Sequence, residues 1–127
     1  MQETWVGLAF LVLGLGGVAI ATVGLLGLLG RLPRNFWAGI RLPATMKSDE
    51  TWRRAHQSGG PMLLFGGIAG ASMALAFVPF AFAGKVGALA LILVGMAAGG
   101  ILLGSVFSSL MTAVNAANSV PDPEPHP

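Results

Sequence analysis

The sequence contains no cysteine, which excludes disulfides, a thiolate metal site and a cysteine nucleophile. Charge is nearly as scarce: seven Lys and Arg and five Asp and Glu make up 9% of the 127 residues. So few charges, most of them in one segment, cannot dress the surface of a water-soluble fold of this size. The stretches that flank this segment, 5–29 and 61–84, carry none at all. Hydrophobic residues, by contrast, account for 54% of the chain, and there are 19 glycines. This composition predicts an integral membrane protein with one domain over residues 1–120.

Hydropathy predicts three transmembrane helices. A helix needs roughly 20 apolar residues to cross a hydrocarbon core of about 30 Å, and the runs at 5–29, 62–83 and 86–114 meet that length. The opening Met1-Gln2-Glu3-Thr4 lacks the basic start of a secretory signal, so the first run is expected to be a retained span. Pro79 comes late enough in the second run to bend only its far end. Only Ala83-Gly84-Lys85 separates the second and third runs, which predicts an antiparallel helical hairpin. Residues 121–127 alternate proline with other residues and are expected to form an extended, mobile tail.

Six of the seven basic residues, Arg31, Arg34, Arg41, Lys47, Arg53 and Arg54, fall in the connection 30–61, and only Lys85 lies at the opposite end of the spans. The positive-inside rule then puts this loop and the C-terminal tail in the cytoplasm and the N-terminus outside. A basic balance concentrated in one membrane loop does not point to nucleic acid. Gly66 and Gly70, Gly95 and Gly99, and Gly100 and Gly104 have the GxxxG spacing that lets helices approach closely. Gly7, Gly14, Gly17 and Gly24 share a helical spacing in the first span. A tight bundle is expected, within one chain or between copies.

The loop is expected to be structured. Pro33 and Pro43 bracket a segment in which Phe36 and Trp37 suit the membrane interface. Ser48 is a candidate N-cap, with Asp49 and Glu50 favourable in the first turn. Asp49 with Arg53 and Glu50 with Arg54 are acid-before-base pairs four residues apart. Trp52, Ala55 and Gly59 share the opposite face, which makes a short amphipathic helix ended by Gly59-Gly60-Pro61.

This stretch, "NFWAGIRLPATMKSDETWRRAH", resembles the signature loop of the SdpI family of small membrane proteins. The matching positions are Asn35, Gly39, Ile40, Arg41, Thr45, Ser48, Trp52 and His56. Family members often carry Thr directly after the Arg, where this chain has Leu42. Better-known members have additional spans ahead of this region, so the resemblance covers their C-terminal part. It implies a bacterial plasma-membrane protein; the family's founder confers immunity to a secreted killing peptide and helps hold a repressor at the membrane.

Two readings of the loop compete. As a recognition surface, Arg34 and Arg41 bind an anionic group of a protein, peptide or lipid while Trp52 and His56 close over it. As a topogenic anchor, the basic residues hold the loop inside, and Asn35 and Thr45 satisfy turn backbone. The combination of Asn35, Gly39 and Arg41 exceeds what charge bias requires and favours recognition. With one other histidine in the chain, on the tail, no metal set and no cofactor are expected. Asp49 and Glu50 are accounted for at the helix start, so no enzyme is expected. A small proton-coupled transporter needs an ionisable residue within the bilayer, and the spans offer only Ser72, Ser105, Ser108, Ser109 and Thr112. The hydroxyls of the third span are more simply a helix-contact stripe. The expected function is a membrane binding, immunity or signalling module, the alternative being an accessory subunit whose glycine faces bind other helices.

Overall fold

A computed structural model describes residues 1–122 and Glu124. The chain forms α1 (Gln2–Leu28), α2 (Asp49–Phe82) and α3 (Ala88–Asn118), each long and apolar enough to cross a membrane. At 1.5 Å per residue they measure about 40, 51 and 46 Å, so each exceeds a hydrocarbon core of about 30 Å. Among the described residues there is no strand. Part of the predicted tail, 121–127, lies outside the described residues; Pro121, Asp122 and Glu124 are non-helical.

The middle helix organises the bundle, with α1 and α3 both packed along it and scarcely touching each other. Two glycine doublets seven residues apart explain how it serves two neighbours. Gly60 and Gly67 face α1, where a Cβ on Gly60 would lie 2.7 Å from the Gly24 carbonyl and one on Gly67 would lie 2.7 Å from the Gly17 carbonyl. Gly59 and Gly66 face α3, against Ser109 and Ser105. One turn further along α2, Gly70 meets Leu102 of α3 while Ala71 meets Gly17 of α1. Lipid offers no hydrophobic drive between helices, so close backbone approach and the dispersion contacts it brings hold such an interface.

The predicted glycine faces therefore divide. Gly7, Gly14, Gly17 and Gly24 all turn to α2, and Gly66 and Gly70 to α3. On α3 itself, Gly95 meets Phe10 of α1, whereas Gly99, Gly100 and Gly104 have open space before them. The hydroxyl stripe divides too. Ser105 and Thr112 bond the carbonyls of Leu102 and Ser108 at 2.8 Å, Ser108 is exposed, and Ser109 is buried against Gly59.

One boundary is corrected. The amphipathic helix does not end at Gly59-Gly60-Pro61: α2 runs unbroken from Asp49 to Phe82 with both Pro61 and Pro79 inside it. Pro61 removes one backbone donor, the one that would have met the Gln57 carbonyl. In a helix clasped on two sides the neighbours supply the packing that outweighs this local cost. The non-helical connection is accordingly shorter than 30–61, running from Leu29 to Ser48.

Because α1 and α3 pack along α2 and scarcely touch each other, a cleft opens between them. Its half near the Ala83-Gly84-Lys85 turn, about 480 Å³, is lined by Val6, Phe10, Leu91 and Ile92, with Gln2 and Glu3 at the rim. The other half, about 430 Å³, lies between Ala19, Ile20 and Val23 of α1 and Val106 of α3, with Leu63 of α2 as its floor. The Leu29–Ser48 connection closes that end.

Candidate functional site: a hydrogen-bonded cap on the bundle

The connection between α1 and α2 folds as a cap through side-chain bonds to its own backbone. Asn35 opens it: its Oδ1 accepts from the Trp37 and Ala38 amides at 2.9 and 2.7 Å, and its Nδ2 donates to the Pro33 carbonyl at 2.7 Å. That side chain stands in for a turn of backbone. The turn it makes holds Phe36 and Trp37 outward, each 83% exposed.

Gly39 follows with φ +97°, a left-handed conformation that a side chain disfavours. A Cβ there would also lie 2.6 Å from His56 Nε2. The backbone approaches the imidazole so closely because the Ile40 amide donates to His56 Nε2 at 2.8 Å. Nε2 is thus the acceptor nitrogen, and the ring proton sits on Nδ1, which donates to the Trp52 carbonyl at 2.8 Å. The ring is neutral, 2% exposed, and stacked on Trp52 at 4.0 Å between centroids. It sits in the first turns of α2, outside the span, and burial pushes its pKa below the ordinary imidazole value, with the Trp52 carbonyl opposing in part.

Trp52 and Thr45 complete the frame. Trp52, 2% exposed, donates its indole N–H to the Leu32 carbonyl at 2.8 Å, tying the end of α1 to the start of α2. Thr45 is fully buried; its hydroxyl donates to the Ile40 carbonyl at 2.6 Å and accepts from the Leu42 amide at 3.0 Å. Both polar groups of Ile40 are therefore held by side chains from elsewhere in the motif. Leu42 contributes through its backbone.

The N-cap is as expected: Ser48 Oγ accepts from the Thr51 amide at 3.1 Å. The expected Asp49–Arg53 pair is replaced. Asp49 meets Arg34 Nε at 3.1 Å, while Arg53 and Arg54 both converge on Glu50, Arg54 at 2.9 Å. Hydrogen bonds from Arg53, then Arg54, hold the Glu50 carboxyl below the usual range. Arg34 also donates to the Met46 carbonyl at 3.0 Å, so it braces the two arms of the cap. Lys47 reaches Asp122 at 3.4 Å, which brings the end of α3 to the cap side of the bundle.

The seven motif residues thus fall into two groups. Asn35, Gly39, Thr45, Trp52 and His56 are turned to holding the cap together, and Arg34 braces it. Trp52 and His56 face the loop backbone, so they form the floor beneath the cap instead of closing over a ligand from outside. Arg41 alone points its charge outward, donating through one guanidinium nitrogen to the Phe36 carbonyl. Sequence reasoning missed the acceptors at Leu32, Met46 and Phe36, because backbone carbonyls leave no mark in residue identity. Among the described residues no group of three His, Cys, Asp or Glu is arranged to hold a metal.

No curated protein and no solved structure matches the chain. The model of the SdpI/YfhL protein family matches residues 31–109, a segment that begins at the cap and runs through all of α2 into the Ser109 contact of α3. That segment is well over half of the sequence and contains the whole hydrogen-bonded frame, and on it the chain belongs to the SdpI/YfhL protein family.

Proposed function

We propose that this protein is a binding module of the immunity or signalling type in a bacterial plasma membrane, with a prefolded cytoplasmic cap as its recognition surface. The observation that supports this is the division of labour in the motif. Four side chains and the left-handed turn at Gly39 are spent on fixing the shape of the cap, and what that shape presents outward is Phe36, Trp37 and Arg41. A topogenic loop needs charge on one side and no fixed shape. A recognition surface needs its contact groups held in advance, because that lowers the ordering cost of binding. The module binds and does not catalyse.

The decisive substitution is Arg41→Lys. Lysine keeps the charge that topology uses and can still bond one carbonyl, yet it cannot bond Phe36 and fork onto a carboxylate or phosphate at once. A ten- to hundredfold loss of function, roughly the worth of a charge-assisted hydrogen bond, is expected in whatever phenotype deletion of the gene exposes, at equal membrane levels. Arg53→Lys on the exposed face of α2 is the matched control. Equal function in both variants and the parent would return the loop to an anchoring role.

The cytoplasmic assignment rests on the six basic residues at the cap end against Lys85 at the other. A cysteine placed at Thr45 would disturb the frame, so the reporter belongs at exposed Pro43. Pro43→Cys is expected to resist a membrane-impermeant thiol reagent in whole cells and Gln2→Cys to react; the reverse pattern would invert the topology and the proposal with it. A second reading, an accessory subunit of a larger assembly, is favoured by the uncovered Gly99, Gly100 and Gly104 on α3. Stoichiometric co-purification of another membrane protein, lost on Gly104→Leu, would support it.

A further inference from the structure

The loop cations are unequally committed. Arg34 pairs with Asp49, Lys47 with Asp122, and Arg53 and Arg54 with Glu50, whereas among the described residues Arg41 and Arg31 meet no carboxylate. Of those two, Arg41 has a defined place. Its guanidinium reaches back over residues 37–40 to the Phe36 carbonyl, and Trp37, Ala38, Gly39 and Ile40 are the same residues that roof the cleft between α1 and α3. Arg41, next in the chain to Ile40 and bonded to the residue before Trp37, therefore borders the roof of an apolar groove of about 430 Å³. The exposed Trp37 beside it marks the level of the membrane interface.

Resting on the recognition reading above, we infer that the groove beneath the cap seats one anionic phospholipid of the same leaflet, its acyl chain between α1 and α3 and its phosphate on Arg41. Charge complementarity commits the occupant: an unpaired guanidinium with nitrogens free after the Phe36 bond suits a phosphate oxygen pair. The apolar walls Ala19, Ile20, Val23, Leu63 and Val106 suit an acyl chain and offer no partner to the backbone of an extended peptide. The cap residues then act on the lipid from above: the turn made by Asn35 and the latch made by His56 set where Trp37 and Arg41 stand.

Native mass spectrometry of the detergent-purified full chain, titrated with phosphatidylglycerol and with phosphatidylcholine of the same acyl chains, tests this. The parent is expected to bind phosphatidylglycerol about tenfold or more tightly, consistent with one charge-assisted contact. Arg41→Gln is expected to abolish that preference and Arg31→Gln to keep it. Ala19→Trp, which fills the groove from the exposed face of α1, is expected to weaken both lipids. Equal loss of preference in Arg31→Gln and Arg41→Gln would mean a diffuse basic field and overturn the site. So would unchanged binding in Ala19→Trp, which would mean annular lipid only. Appearance of the deletion phenotype in Arg41→Gln with lipid preference intact would overturn the lipid while leaving the cap as a recognition surface for another partner.

Discussion

The bundle and the cap are held by opposite means. Along α2 the helices meet through the absence of side chains: Gly60 and Gly67 let α1 backbone approach, and Gly59, Gly66 and Gly70 admit side chains of α3. In the cap, order comes from directed bonds by Asn35, Thr45, Trp52 and His56 to backbone groups. The contrast follows from the two solvents. In lipid every helix satisfies its own backbone, so shape is left to contact. At the membrane surface an irregular backbone needs partners, and the motif provides them. One consequence is that the bundle tolerates a change of apolar side-chain size on its lipid-facing outside but no added volume inside, while the cap tolerates neither loss of a polar atom nor a changed backbone angle.

The largest effect is expected from volume in the bundle. Gly67→Leu would push into the backbone of α1 at Gly17 and Ala21. Destabilisation of roughly 3 kcal/mol, the upper part of the overpacking range, is expected in a denaturation titration in detergent. Gly104→Leu, with open space before it, should leave that midpoint in place. If both variants shifted it equally, the glycines would matter for propensity and not for contact.

A smaller and strictly local effect is expected in the cap. Gly39→Ala combines an unfavourable φ with a contact on the His56 ring, and strain of this kind costs about 1–3 kcal/mol. Amide exchange at Ile40 should accelerate accordingly while the bundle midpoint stays unchanged. A drop in both would show that the cap and the bundle fold as one unit, which would break the comparison.

The mildest perturbation is acid. His56 is held neutral, with its pKa below the ordinary value near 6.5, so cap stability is complete above that value. Below it, protonation of the open form competes, and stability is lost as pH falls toward the lower pKa of the closed form. A protonated ring would also turn an N–H toward the Ile40 amide, donor against donor. Ile40 protection, corrected for intrinsic exchange, is expected to fall by up to about tenfold per pH unit across that window. Protection that ignores pH from 7 to 5 would remove His56 from the latch.

Much of this architecture was legible in residue order, and the failures are instructive. The three spans are local hydropathy, and Ser48 is a local cap, so both could be read directly. Gly59-Gly60-Pro61 looked like a helix end because glycine and proline break helices in water; flanked by α1 and α3 they became contact surface instead. Spacing pairs Asp49 with Arg53, four residues on, whereas it meets Arg34 across the cap, a contact that depends on the path of the loop. Residue identity marks the motif but not the direction its side chains take. Asn35, Gly39, Arg41, Trp52 and His56 read alike as a ligand site or as a scaffold until Ile40 is seen to donate to the imidazole.

The unbroken course of α2 has a mechanical consequence. Had the chain hinged at Pro61, the cap would be free to move independently of the membrane part. As a single helix of about 51 Å, α2 is a rod: tilting it by roughly 10° about the end near Lys85 carries its other end sideways by about 9 Å. Trp52 and His56 are mounted on that end, in the first turns of the same helix. A change of bilayer thickness, or a ligand that wedges the cleft on the far side, therefore reaches the cap as a displacement in the membrane plane, with no non-helical segment in between.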